Sequence, residues 1–172
     1  MHNSFHYFAY GSNMASARLC ARIAPIEILS TARLDNHRLA FHKVSIDGSG
    51  KCDIVPSDHD RHCVHGVLYR VERNQLEILD RYEGVGFGYE RTSLQVDSPA
   101  IGLISAECYI ATETDPGMLP YSWYKEHVIR GAIENALPGD YIAGIEAIHT
   151  MEDPDRSRHN EELSIYDLPL LE

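Results

Sequence analysis

From Ile26 to Ala111 the chain reads as one extended segment after another, and this stretch limits the possible fold more than any other feature. Ile26 to Leu34, His37 to Val44, Val64 to Val71, Tyr89 to Val96 and Ile104 to Ala111 are rich in β-branched and aromatic residues and predict strands. The run from Asp53 to Val55, ended by Pro56, predicts a further short one. Val64 to Val71 alternates cleanly, with Val64, Gly66, Leu68 and Arg70 on one side and His65, Val67, Tyr69 and Val71 on the other. Turn residues separate the runs at Asp47-Gly48-Ser49-Gly50, at Pro56 to His62 and at Asp97-Ser98-Pro99. Helical patterns come at intervals: Met14 to Ile23, Arg73 to Glu83 stopped by Gly84, Pro120 to Leu137 stopped by Pro138-Gly139, and Tyr141 to Thr150. Strands in the middle with interspersed helices predict a single α+β, barrel-like domain over residues 1–150. Met151 to His159 reads as a charged linker and Leu163 to Leu171 as an apolar tail. Residues 151–172 are therefore expected to form an extension packed on the domain.

Composition removes several function classes. The formal net charge is −11, which argues against a nucleic-acid partner, whose phosphates need clustered Lys and Arg. It argues equally against an anionic membrane surface. No apolar run reaches the roughly 18 residues of a spanning helix, and no secretory signal pattern opens the chain. The four cysteines, Cys20, Cys52, Cys63 and Cys108, are widely spaced. That spacing favours a reducing, cytoplasmic setting over a disulfide framework.

Two segments carry the chemistry. In Tyr7-Phe8-Ala9-Tyr10-Gly11-Ser12-Asn13-Met14, a strand stops on a glycine and restarts as a helix. Backbone N–H groups at such a junction point at one spot, and the helix start favours an anion there. The lysine and spacing of a P-loop are missing, so a carboxylate suits this cradle better than a phosphate. A plain strand-to-helix turn, with Ser12 or Asn13 capping, accounts for the same residues. In the second segment Leu76, Leu79 and Glu83 share a helix face. Glu83 then ends an apolar stripe in the last helical turn, where desolvation and the carbonyl ends both disfavour its charge. A carboxylate moved toward neutrality in this way suits proton transfer. The competing reading is a surface glutamate ahead of a glycine cap. Gly84, Gly86 and Gly88 allow close approach to a ligand, and Tyr89 and Tyr124 can aim hydroxyls into the same space.

Two further clusters carry less. Asp58, His59, His62, Cys63 and His65 fit no standard zinc spacing, and only Cys63 and His65 share a strand face, so no metal is expected. No cysteine stands in a nucleophile signature.

The motif Phe8-Ala9-Tyr10-Gly11-Ser12-Asn13-Met14 resembles the opening of the γ-glutamylcyclotransferase superfamily, with its AIG2-like fold. Leu79-Asp80-x-x-Glu83-Gly84 followed by Tyr89 resembles its catalytic segment, and His65-Gly66-Val67-Leu68-Tyr69 its central strand. Glu134-Asn135-x-Leu137-Pro138 and Tyr141 resemble its C-terminal region. The resemblance implies a small mixed β-barrel with flanking helices. It also implies cyclisation of a γ-glutamyl group to 5-oxoproline with release of an amine or amino acid, and no cofactor. Glu83 would be the acid/base; Tyr10, Gly11, Ser12 and Asn13 the glutamyl loop; Tyr89 and Tyr124 pocket walls. The implied partner is a small γ-glutamyl molecule. A non-catalytic binding module of the same fold is the alternative, and the sequence leaves the oligomeric state open, a homodimer included.

Overall fold

The chain's own hydrogen bonding closes the strands into a barrel. A computed structural model describes residues 3–167. Five strands form the closed barrel: β1 (Ser4–Ala9), β2 (Ile26–Asp35), β5 (Cys63–Glu72), β6 (Tyr89–Ser98) and β7 (Gly102–Ala111), in the order β1-β5-β2-β6-β7. Their pairings are antiparallel except where β7 meets β1 in parallel at Tyr7 and Glu107. Two more strands, β3 (His37–Val44) and β4 (Gly50–Pro56), form a separate two-stranded sheet. β4 is longer than the expected Asp53 to Val55, because Gly50 to Asp53 pair with Val44 back to Ala40 around a bulge.

The helices are α1 (Ser16–Cys20), α2 (Leu76–Glu83), α3 (Ser122–Glu134), α4 (Gly139–Glu146) and α5 (Arg156–Ser164). No helix among the described residues is long and apolar enough to cross a membrane. The core joins Phe8, Val67, Leu68, Tyr69 and Val71 of the barrel to Met14 and Leu19, to Leu79 of α2 and to Val128 and Ala132 of α3. Each of the Phe, Val, Leu and Met side chains among these contributes about 1.5–3 kcal/mol on burial. The residues from Gly66 to Tyr69 are all buried. The alternation of β5 therefore does not separate a wet face from a dry one: one face lies inside the barrel and the other under elements packed outside it.

Three expectations change. Met14 to Ile23 is not one helix but a 3-10 turn at Ser12–Met14 followed by the five-residue α1. Ala15 between them is extended (φ −71°, ψ 115°) and neither Ser12 nor Asn13 caps α1. The cap comes from another helix: Glu134, at the end of α3, accepts the Ser16 amide at 3.2 Å and the Ser16 hydroxyl. Asn135 and Tyr69 both donate to the Met14 carbonyl, at 3.1 and 2.9 Å. Second, α3 begins at Ser122 and ends at Glu134, inside the expected limits, and α4 runs from Gly139 rather than Tyr141. Third, the supposed linker holds the first turn of α5. Asp155 caps it by accepting the amides of Ser157 and Arg158, a local signal that the charge run hid. α5 is tied back by an ion pair between Glu162 and the buried Arg18 of α1, and Tyr166 bonds His127 of α3 at 2.6 Å. Residues 168–171, the end of the expected apolar tail, lie outside the described residues.

Candidate active site

Where β1 leaves the barrel, the chain turns at Gly11 and the end of α2 comes up beside it. Of the residues singled out in the sequence, Tyr10, Gly11, Ser12, Asn13, Glu83, Tyr89 and Tyr124 line one cavity here, together with Tyr7, Cys52 and Tyr109, whereas Gly84, Gly86 and Gly88 do not line it. It is narrow, with a volume of about 30 Å³.

α2 delivers Glu83 because Leu79 is fully buried on the same face. The helix then stops at Gly84, whose left-handed backbone (φ 70°, ψ 45°) closes the cap. Asp80, one turn earlier, fixes the helix end to the barrel. It accepts the Tyr109 hydroxyl at 2.8 Å and pairs with Arg91. Glu83 is not the isolated carboxylate that the apolar stripe suggests. Its Oε1 accepts Asn13 Nδ2 at 2.8 Å and Arg22 Nη1 at 2.9 Å, and its side chain is 14% exposed. Arg22 also donates to Asn13 Oδ1 at 3.0 Å, and Asn13 Nδ2 to the Tyr7 hydroxyl at 2.9 Å. Oε2 has no partner among the described residues.

The opposite wall is clamped through Cys52. Tyr89 donates to its carbonyl at 2.6 Å, and its amide donates to the Tyr124 hydroxyl at 3.0 Å. The Tyr124 hydroxyl also lies against the Cys52 thiol. Tyr10 donates to the Tyr109 carbonyl. Burial raises Tyr7, Tyr10, Tyr89 and Tyr124 well above the ordinary phenol range, so all four stay neutral donors. The amides of Gly11, Ser12 and Asn13 donate to no described residue and remain available.

Other nucleophile candidates fade. Burial pushes the Cys52 thiol up to about 12. Cys63 lies 3.4 Å from His65 Nε2, but burial raises the thiol and lowers the imidazole, which disfavours an ion pair between them. Sequence reasoning missed Tyr7, Arg22, Cys52 and Tyr109. Arg18 and Arg22, four residues apart in an otherwise apolar helical segment, were the one available signal for Arg22.

The AIG2-like family model matches residues 63–145. The γ-glutamylcyclotransferase of Mus musculus is 31% identical over 155 residues, covering 87% of this chain and 81% of that protein. The γ-glutamylcyclotransferase of Homo sapiens is 32% identical over 151 residues, covering 84% and 79%. A solved γ-glutamyl cyclotransferase structure superposes with a TM-score of 0.84 at 27% identity, covering 96% of this chain and 99% of the other. This chain belongs to the γ-glutamylcyclotransferase family and is an enzyme of the cyclotransferase type.

Proposed function

We propose that the chain converts a γ-glutamyl amide to 5-oxoproline and releases the amine, with Glu83 as general acid and base. The observation that carries this reading is the division of labour within the Glu83 carboxylate. Arg22 and Asn13 anchor Oε1, and Oε2 is left for a proton. Oε2 takes a proton from the substrate's α-amine as that nitrogen bonds to the δ-carbonyl carbon and closes the five-membered ring. The carbonyl becomes an oxyanion. When it collapses, the bond to the leaving nitrogen breaks and Glu83 returns the proton there, so the enzyme ends as it began. The attack is internal, and confinement in a narrow cavity favours the folded substrate in which amine and carbonyl meet. The free amides of Gly11, Ser12 and Asn13 suit the glutamyl α-carboxylate, and the Tyr124 hydroxyl suits the oxyanion.

The net charge of −11 supports a small-molecule partner over nucleic acid, and four free cysteines support a cytoplasmic setting. The pairing of Glu162 with Arg18 supports residues 151–172 as an extension held against the catalytic domain. The test is 5-oxoproline release, read by mass spectrometry, from a panel of γ-glutamyl amino acids and γ-glutamylamines. Product from at least one is expected. A folded protein that binds these compounds and releases none is a binding module instead.

A further inference from the structure

Lys43 is a buried charge that lies over an aromatic ring. It follows the bulge that interrupts the β3–β4 pairing between Ala40 and Lys43, and it is only 9% exposed. Its ammonium forms no ion pair among the described residues. Lys51, on the partner strand, shows how the same fold treats a structural lysine. It too lies over aromatic rings, but its Nζ sits 2.7 Å from Asp47 and 2.7 Å from the Ser49 hydroxyl. Lys43 has only the face of Tyr89, 5.0 Å from Nζ to the ring centroid. The chain keeps room for it: a Cβ at Gly88 would fall 2.7 Å from Nζ. Tyr89 is a wall of the Glu83 cavity, and Glu83 is the strongest charge acting on Lys43, ahead of Asp47 and Glu113.

A buried ammonium satisfied only by a π face is costly, and this one lies against Tyr89, which lines the cavity. With the glutamyl half on the amide turn, a leaving amine that extends past Tyr89 would meet Lys43 beside Gly88. Resting on that reading of the site, we propose that Lys43 is a specificity residue whose ammonium binds a carboxylate carried by the leaving amine.

Matched pairs of substrates test it: γ-glutamyl amino acids and the same compounds with the distal carboxylate converted to a carboxamide, assayed for 5-oxoproline with wild type, Lys43→Met and Lys43→Arg. Wild type is expected to favour the acids by about 10- to 100-fold in kcat/KM, as for a charge-assisted hydrogen bond. Lys43→Met should abolish that preference while keeping the carboxamide rate within about twofold, and Lys43→Arg should retain part of it. Equal losses on acids and carboxamides would place Lys43 on the glutamyl half or in the fold, and would overturn the inference. So would wild-type turnover without preference, which leaves the proposed reaction standing. No product from any pair with wild type would overturn the reaction and the inference together.

Discussion

Replacing Gly131 with alanine should damage a site that Gly131 does not touch. Gly131 lies in the last turn of α3, within a helix, where alanine normally stabilises by about 1 kcal/mol over glycine. Here the face of α3 bearing Gly131 packs directly on the main chain of the glutamyl turn. An added Cβ would stand 2.4 Å from the Ala15 amide nitrogen, 2.5 Å from the Met14 carbonyl carbon and 2.6 Å from Met14 Cβ. Ordinary carbon contacts need about 3.5–4.0 Å, so the turn and α3 must separate by about 1 Å. Backbone cannot swing aside as a side-chain tip can, and overpacking of this kind costs about 1–3 kcal/mol or more. Set against the helix gain, the net loss is up to about 2 kcal/mol, or up to about 8 °C in Tm for a chain of this size. The larger effect falls on turnover. The separation shifts Ser12 and Asn13, and Asn13 carries one of the two hydrogen bonds to Glu83 Oε1. A misplacement of about 1 Å costs about 100-fold in rate. Thermal unfolding and 5-oxoproline kinetics on Gly131→Ala read both. Wild-type turnover with an unchanged or higher Tm would refute the claim that α3 positions the turn.

Arg22→Met removes the cation on Glu83 Oε1; kcat should fall about 10- to 100-fold with little change in KM, and Arg22→Lys should recover part of it. His127 is fully buried between Arg18, Glu162 and Tyr166, and burial holds it down to about 4 against an ordinary value of 6.5. A group so depressed contributes stability that is complete above pH 6.5 and is lost as pH falls through about 4. Between pH 8 and pH 5 that loss is about 2 kcal/mol. Glu162, held down to about 2 chiefly by His127 and Arg18 against the effect of burial, adds acid sensitivity only below its ordinary value of 4.5. His127→Gln should therefore flatten the dependence of Tm on pH between 8 and 5, and an unflattened curve would count against His127 as its source.

Much of this was legible in the sequence, and the reasons differ by element. The barrel strands were readable because their runs of apolar and β-branched residues are set off by Gly, Pro and Asp residues, as at Pro99 between β6 and β7, although β6 runs on through the expected turn residues Asp97 and Ser98. Glu83 was readable because helix geometry ties it to the buried Leu79. The short α1 was not, because its start is fixed by Glu134 and Asn135, residues far along the chain whose pairing no local pattern announces. α5 was hidden for a related reason: its composition is that of a solvated linker, and what holds it is an Asp155 cap and a distant arginine. The partners of Glu83 were hidden too. An apolar stripe says a carboxylate is shielded from water but not which cation will arrive beside it, and Arg22 reaches it from another element.

The most direct test of the account is Glu83→Gln. The amide keeps the size of the side chain and a carbonyl oxygen to accept from Asn13 and Arg22, so the variant should fold and still bind the glutamyl group. It cannot take and return a proton, and 5-oxoproline release should fall by about 100- to 10,000-fold. Release at the wild-type rate by a folded Glu83→Gln protein would contradict the central claim.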